Sequence, residues 1–171
     1  MLSYNINSKE TTEYVLPLKQ RLGFAASYLF KVNPYTILIG TESGVFSFDI
    51  NTEKFSKFKG SDGKPFTHAV RGILQDTKGG LWFTTRKGLG FALKNDNKIT
   101  LLTRESGFQL SNNYIINIVE HPEGGFLLNT RSGIDRVTRI DGQFEFNSFY
   151  SDINNSSGGD HKLIISDFGF W

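Results

Sequence analysis

The side chains able to do chemistry are few and scattered. His68, His121 and His161 stand 53 and 40 residues apart with no local pairing, and cysteine is absent. That pattern supports neither a zinc site nor a thiolate site nor a disulfide scaffold. Acidic residues are spread along the chain, whereas a hydrolase or lyase needs converging carboxylates or a nucleophile beside a base. Catalysis, a metal and a cofactor are therefore not expected. What remains is a set of polar side chains suited to non-covalent recognition: Glu42, His68, Arg86, Asn113 and Arg131. Guanidinium, amide, carboxylate and ring groups together fit a carbohydrate or another polar small ligand, provided the fold gathers them.

The elements that would gather them repeat. Residues Ile37 to Val45 (ILIGTESGV) lie over Leu81 to Leu89 (LWFTTRKGL) at a shift of 44, and Phe126 to Ile134 (FLLNTRSGI) lie over the same stretch at a shift of 45. Threonine and glycine occupy fixed positions in all three copies. Before each copy runs an apolar segment ending in a turn, such as Asp76-Thr77-Lys78-Gly79-Gly80 or His121-Pro122-Glu123-Gly124-Gly125. After each come two more short strands around a polar turn, at Asn51-Thr52-Glu53, Asn95-Asp96-Asn97 and Ile140-Asp141-Gly142. Four strands in about 44 residues is the signature of a β-propeller blade. The spacing predicts an all-β chain with complete blades at about residues 25–59, 68–104 and 113–150.

Composition agrees with this. Eighteen glycines, sixteen phenylalanines and four prolines in 171 residues favour short strands and tight turns over a helical bundle. A net charge of +2 without a basic run gives no field for nucleic acid or an anionic membrane. No stretch approaches the roughly 20 apolar residues of a membrane helix. Met1-Leu2-Ser3-Tyr4-Asn5 lacks the basic start and apolar core of a signal peptide, so no export address is expected in these residues.

By register, Tyr4 to Glu10 match Phe48 to Lys54, and Leu163 to Trp171 match a first strand, a turn and the opening of a second. Residues 161–171 with 1–16 then read as one split blade. Six repeat positions separate the two ends, and 171 + 6 = 177 is close to four repeats of 44. The expectation is a piece of a larger ring that self-associates through uncovered strands or continues into further blades.

The second repeat, with Ile73, Asp76, Gly79, Trp82, Thr85, Gly88 and Leu89, resembles the two-component regulator propeller repeat. Residues 105–115 (ESGFQLSNNYI) resemble its Gly-Leu-x-x-Asn-x-Val lead-in, with Phe108 in place of leucine. Departures are Val32 and His121 where aspartate belongs, and Leu38 and Leu127 where tryptophan belongs. The resemblance implies a non-enzymatic sensory module of a bacterial hybrid histidine kinase or related receptor, periplasmic, with a glycan or similar ligand. The missing signal peptide leaves the cytoplasm open. A propeller lyase or glycosidase and a stand-alone interaction scaffold are the other readings. Asp167-Phe168-Gly169 spells the kinase metal-binding triplet without its companion motifs, and Gly158-Gly159-Asp160 resembles the start of a cyclase signature; both read as turns. Asp76 to Trp82 also resembles the aspartate box of sialidases, itself a structural turn.

In a four-stranded meander, interblade links and the turns between second and third strands emerge at one end, with the aspartate-type turns at the other. One rim thus carries Lys64, Phe66, His68, Gln109, Asn112 and Asn113 with Glu42, Arg86 and Arg131. Arg86 and Arg131 share a repeat position and are expected to converge near an axis. Trp82 is expected to fill an interblade wedge, and Arg86 to cap an exposed turn.

Overall fold

The computed structural model describes residues 2–16, 26–151, 165–166 and 169–170. His161, Trp171, Asp167, Phe168 and the glycine run at 158–160 lie outside the described residues, as does most of the expected split blade between 161 and 171. In chain order the strands are β1 (Leu2–Tyr4), β2 (Thr11–Glu13), β3 (Ala26–Asn33), β4 (Thr36–Thr41), β5 (Gly44–Asp49), β6 (Lys54–Lys57) and β7 (Lys59–Gly60). They continue with β8 (Val70–Gln75), β9 (Leu81–Thr85), β10 (Leu89–Ala92), β11 (Lys98–Leu102), β12 (Ile115–Glu120), β13 (Phe126–Thr130), β14 (Gly133–Ile140), β15 (Gln143–Ser151), β16 (Ile165–Ser166) and β17 (Gly169–Phe170). No helix occurs among the described residues, so none is long and apolar enough to cross a membrane.

Three antiparallel meanders follow one another, β3-β4-β5-β6, β8-β9-β10-β11 and β12-β13-β14-β15, each strand paired with the next. This is the expected all-β, blade-by-blade architecture. In the second blade, β9 and β10 are buried at every position because a neighbouring blade covers each face. Strand β11, at the outer margin, shows buried residues interrupted by exposed ones instead. The first strand of each blade carries a register shift, between Ala26 and Tyr28, Val70 and Gly72, and Ile115 and Asn117. A bulge at one fixed repeat position bends each inner strand at the same end of the blade.

One feature departs from the four-stranded plan. Strand β7, in the link after the first blade, pairs in parallel with β11 of the second, Lys59 opposite Lys98 and Gly60 opposite Ile99. The link therefore covers an outer edge that would otherwise offer unpaired backbone groups. The short strands β1 and β2 form one hairpin, and β16 and β17 another.

The core lies in the seams between blades. Leu38, Val45 and Phe58 of the first blade and its link pack with Val70, Ile73, Phe83 and Ile99 of the second. Trp82, Leu89 and Phe91 of the second pack with Ile115, Phe126, Leu128 and Val137 of the third. On the far face of the first blade, Ile39, Phe46 and Phe48 take Tyr14 and Leu16 against them, with the Tyr14 and Phe48 rings 4.7 Å apart. The inner strand β3 does not share the burial expected of it: Leu29 is 55% exposed, since β8 packs against it on one side only.

Candidate functional site

Each turn between second and third strands is built by its repeated threonine. Thr41, Thr85 and Thr130 donate through Oγ1 to the carbonyls of Gly44, Gly88 and Gly133 at 2.9, 2.7 and 2.9 Å. The same oxygens accept the backbone N–H of Ser43, Lys87 and Ser132 at 3.1, 2.9 and 3.2 Å. Each hydroxyl is buried and fully used, so the recurrence of threonine needs no chemistry to explain it. Gly44 has a φ of +116°, and a Cβ there would collide with the Phe66 carbonyl, so the turn accepts only glycine.

These turns meet the interblade links, as the meander topology requires. Asn112 Nδ2 donates to Ser132 Oγ at 2.8 Å, and Arg131 N donates to the Tyr114 carbonyl at 3.0 Å. The link between the second and third blades is also anchored by Asp135, which accepts from Ser111 N at 2.8 Å and Ser111 Oγ at 2.5 Å. Asp135 is completely buried, and that desolvation pushes its carboxyl above the ordinary aspartate range, partly offset by the Ser111 and Ser148 hydrogen bonds.

Where the seam between the second and third blades opens on this rim there is a small notch of about 90 Å³, lined by Arg71, Thr84, Arg86, Tyr114 and Ile116 among others. The Arg86 guanidinium sits 5.3 Å over the Tyr114 ring. Arg71 reaches back to Glu42 of the first blade, with Nη2 3.2 Å from Oε1. Thr84 is fully buried and its Oγ1 has no hydrogen-bond partner. The notch thus combines a held cation, an aromatic face and an unanswered hydroxyl.

The expected site residues fall into two groups. Arg86 lines the notch together with Arg71, and Glu42 pairs with Arg71 without lining the notch. Arg86 lies over the Tyr114 ring, whereas Arg131 meets the Tyr114 carbonyl through its backbone N–H and is not a lining residue of the notch. His68 packs edge-on against Phe66 with centroids 5.2 Å apart, and is not a lining residue. Asn113 is spent on its own loop, accepting from Arg104 N at 2.9 Å and donating to Glu105 Oε2 at 2.7 Å. Arg71 and Tyr114 escaped the sequence reading. Arg71 sits at the bulge of β8, and the signal was there in Val70-Arg71-Gly72, where a charge breaks an apolar inner strand.

Among the described residues no group of three or more acidic or histidine side chains is placed to hold a metal ion. No family model matches the chain, and no curated protein does. Solved structures do. The chain is similar to the extracellular domain assigned to the hybrid two-component system BT3049 of B. thetaiotaomicron, at 21% identity and a TM-score of 0.69, over 99% of this chain and 23% of that one. It is also similar to the extracellular domain of BT4673 from the same organism, assigned to a one-component system in one structure and to a hybrid two-component system in another. Those matches have 17% identity and TM-scores of 0.65 and 0.67, over 91% and 96% of this chain and 19% and 20% of theirs. The chain spans about a fifth of the length of the structures it matches, and what it shares with them is the fold of a β-propeller segment.

Proposed function

We propose that this chain is a propeller segment of the extracellular sensory region of a bacterial signalling receptor, working by non-covalent binding and not by catalysis. The observation that carries the reading is the fold shared along nearly the whole chain with extracellular domains assigned to one- and two-component systems. The extracellular or periplasmic location belongs to the same reading. Within the segment, the rim notch is the binding feature: Arg86 and Tyr114 present a cation and an aromatic ring to a polar group, and about 90 Å³ admits one such group of a carbohydrate or similar ligand, not the whole molecule. Asp135 is unsuited to general acid or base work because its oxygens are buried and taken by Ser111.

A thermal-shift screen of mono- and oligosaccharides against wild type and Tyr114→Ala tests this. A ligand at about a hundred times its Kd stabilises the folded state by about 2.7 kcal/mol. The expected result is such a stabilisation in wild type that falls away in the variant. Equal stabilisation of both proteins would move binding off the rim, and turnover of a saccharide would replace the sensory reading with an enzymatic one.

A further inference from the structure

At the opposite end of the same seam, between the first turns of the second and third blades, lies a larger cleft of about 320 Å³. Its walls include Asp76, Lys78, Trp82, Glu120, Phe126 and Arg139. Both turns are tied down. Asp76 Oδ1 accepts from Lys78 N at 3.0 Å and Gly80 N at 2.7 Å, and Oδ2 accepts from Trp82 Nε1 at 3.1 Å. Across the cleft, Arg136 Nη2 donates to the carbonyls of Glu123 and Gly124 at 3.1 and 2.9 Å, and His121 Nδ1 replaces aspartate as the acceptor for Glu123 N at 3.1 Å. The walls are therefore set before any ligand arrives.

Two charged groups inside this frame have capacity to spare: Arg139, whose one ion pair, with Asp76, is long, and Glu120, which has none among the described residues. The Arg139 side chain, 18% exposed, crosses from the third blade to lie 4.7 Å over the Phe91 ring and 3.8 Å from Asp76 Oδ2. It makes no hydrogen bond among the described residues, and its buried Nε has no acceptor. Asp76 Oδ2, which already accepts from Trp82 Nε1, stands 3.8 Å from Arg139 Nη1, too far for a hydrogen bond. Glu120, at the end of β12, has no ion-pair or hydrogen-bond partner for its carboxylate among the described residues. Repeat geometry does not demand this pair. Lys94 stands at the position equivalent to Arg139 in the second blade, where it lies along Gly79, and Val32 and Leu38 replace Asp76 and Trp82 in the first.

The charges of the lining balance, Arg139 and Lys78 against Asp76 and Glu120, which disfavours a pure anion or a pure cation. Both signs are present beside the apolar edges of Trp82 and Phe126, and the volume is at the small end of the range for ligand pockets. We propose that this cleft binds a small zwitterion of the free amino-acid class, its carboxylate on Arg139, its ammonium toward Glu120 and a modest apolar side chain against Phe126. The site lies at the other end of the blades from the Arg86 notch and does not depend on it.

The chain has two tryptophans, so the Trp82 indole N–H is a direct NMR reporter beside Arg139, assigned by comparison with Trp82→Phe. L-Leucine, N-acetyl-L-leucine and L-leucinamide are titrated into wild type, Arg139→Gln and Glu120→Gln. Leucine is expected to shift the Trp82 resonance saturably, and each blocked derivative to bind at least about tenfold more weakly, about 1.4 kcal/mol. Arg139→Gln is expected to abolish the leucine response and Glu120→Gln to weaken it about tenfold. No saturable shift with leucine, or equal binding of the blocked derivatives, would overturn the proposal. Should Arg139→Gln fail to fold, Glu120→Gln decides: Glu120 is exposed and unpaired, so an unchanged leucine affinity in that variant is equally fatal.

Discussion

Trp82 and Arg86 are four residues apart and do opposite work. Trp82 is 1% exposed, donates to Asp76 and meets the rings of Phe91, Phe126 and Phe144 at 4.8, 5.3 and 5.5 Å. Trp82→Ala is expected to cost roughly 3–5 kcal/mol in denaturant melts, the range for deleting a buried aromatic. From sequence, Arg86→Ala would cost less than about 0.5 kcal/mol as a surface change. Its place over Tyr114 raises that to about 0.5–1 kcal/mol, still well below Trp82. Asp135 gives a pH signature. Burial lifts its folded carboxyl above the ordinary value near 3.8, so the folded state holds a proton that the unfolded chain has released. Its contribution is fully present below that ordinary value and is lost as pH rises through the raised folded one. Melts of wild type and Asp135→Asn across acidic pH should show wild type losing stability relative to the variant as pH climbs through that window; parallel curves would mean the carboxyl is not shifted. The role of Trp82 was legible because the largest side chain stood at a repeat position facing a neighbour. Asp135 was not, because Gly90 and Phe46 hold its place in the other blades and its partner Ser111 comes from a link of irregular length.

At the scale of the element, the blade was readable because its restraints are local. The threonine-to-glycine turn closes within a few residues, so threonine and glycine recur together wherever the turn does. Thr85→Val removes the donor to Gly88 O and the acceptor of Lys87 N at a buried site, and is expected to cost about 1–3 kcal/mol in chemical melts. A loss below a few tenths would show that the turn holds without its hydroxyl. The bulges of β3, β8 and β12 were not legible, since a bulge depends on the partner strand's register and not on a fixed residue type. Arg71, the bulge residue in the notch, left a trace only in its charge, which interrupts the apolar run between Val70 and Gly72. Pairing of β7 with β11 joins residues of two blades and left no local trace.

For the whole molecule, the seams carry both the core and the two clefts, and neither exists within a single blade. Repeat register motivates a fourth blade shared by residues 161–171 and 1–16, which we keep as a proposal. Leu29, 55% exposed, and Val15, 73% exposed, leave apolar surface open on the first blade and ahead of it. Static light scattering on the purified chain should accordingly show concentration-dependent self-association, whereas a monomer at high concentration would mean this surface recruits no second copy. Whether the blades act as a stack coupled through their seams is decided by hydrogen exchange with mass spectrometry on wild type and Trp82→Ala. Trp82 belongs to the second blade but packs on Phe126 and Phe144 of the third. The expected result is loss of protection in β9 and β10 together with β13 and β15, with β4 and β5 less affected. Loss confined to β9 and β10, or spread evenly over every strand, would contradict a stack of blades joined at their seams.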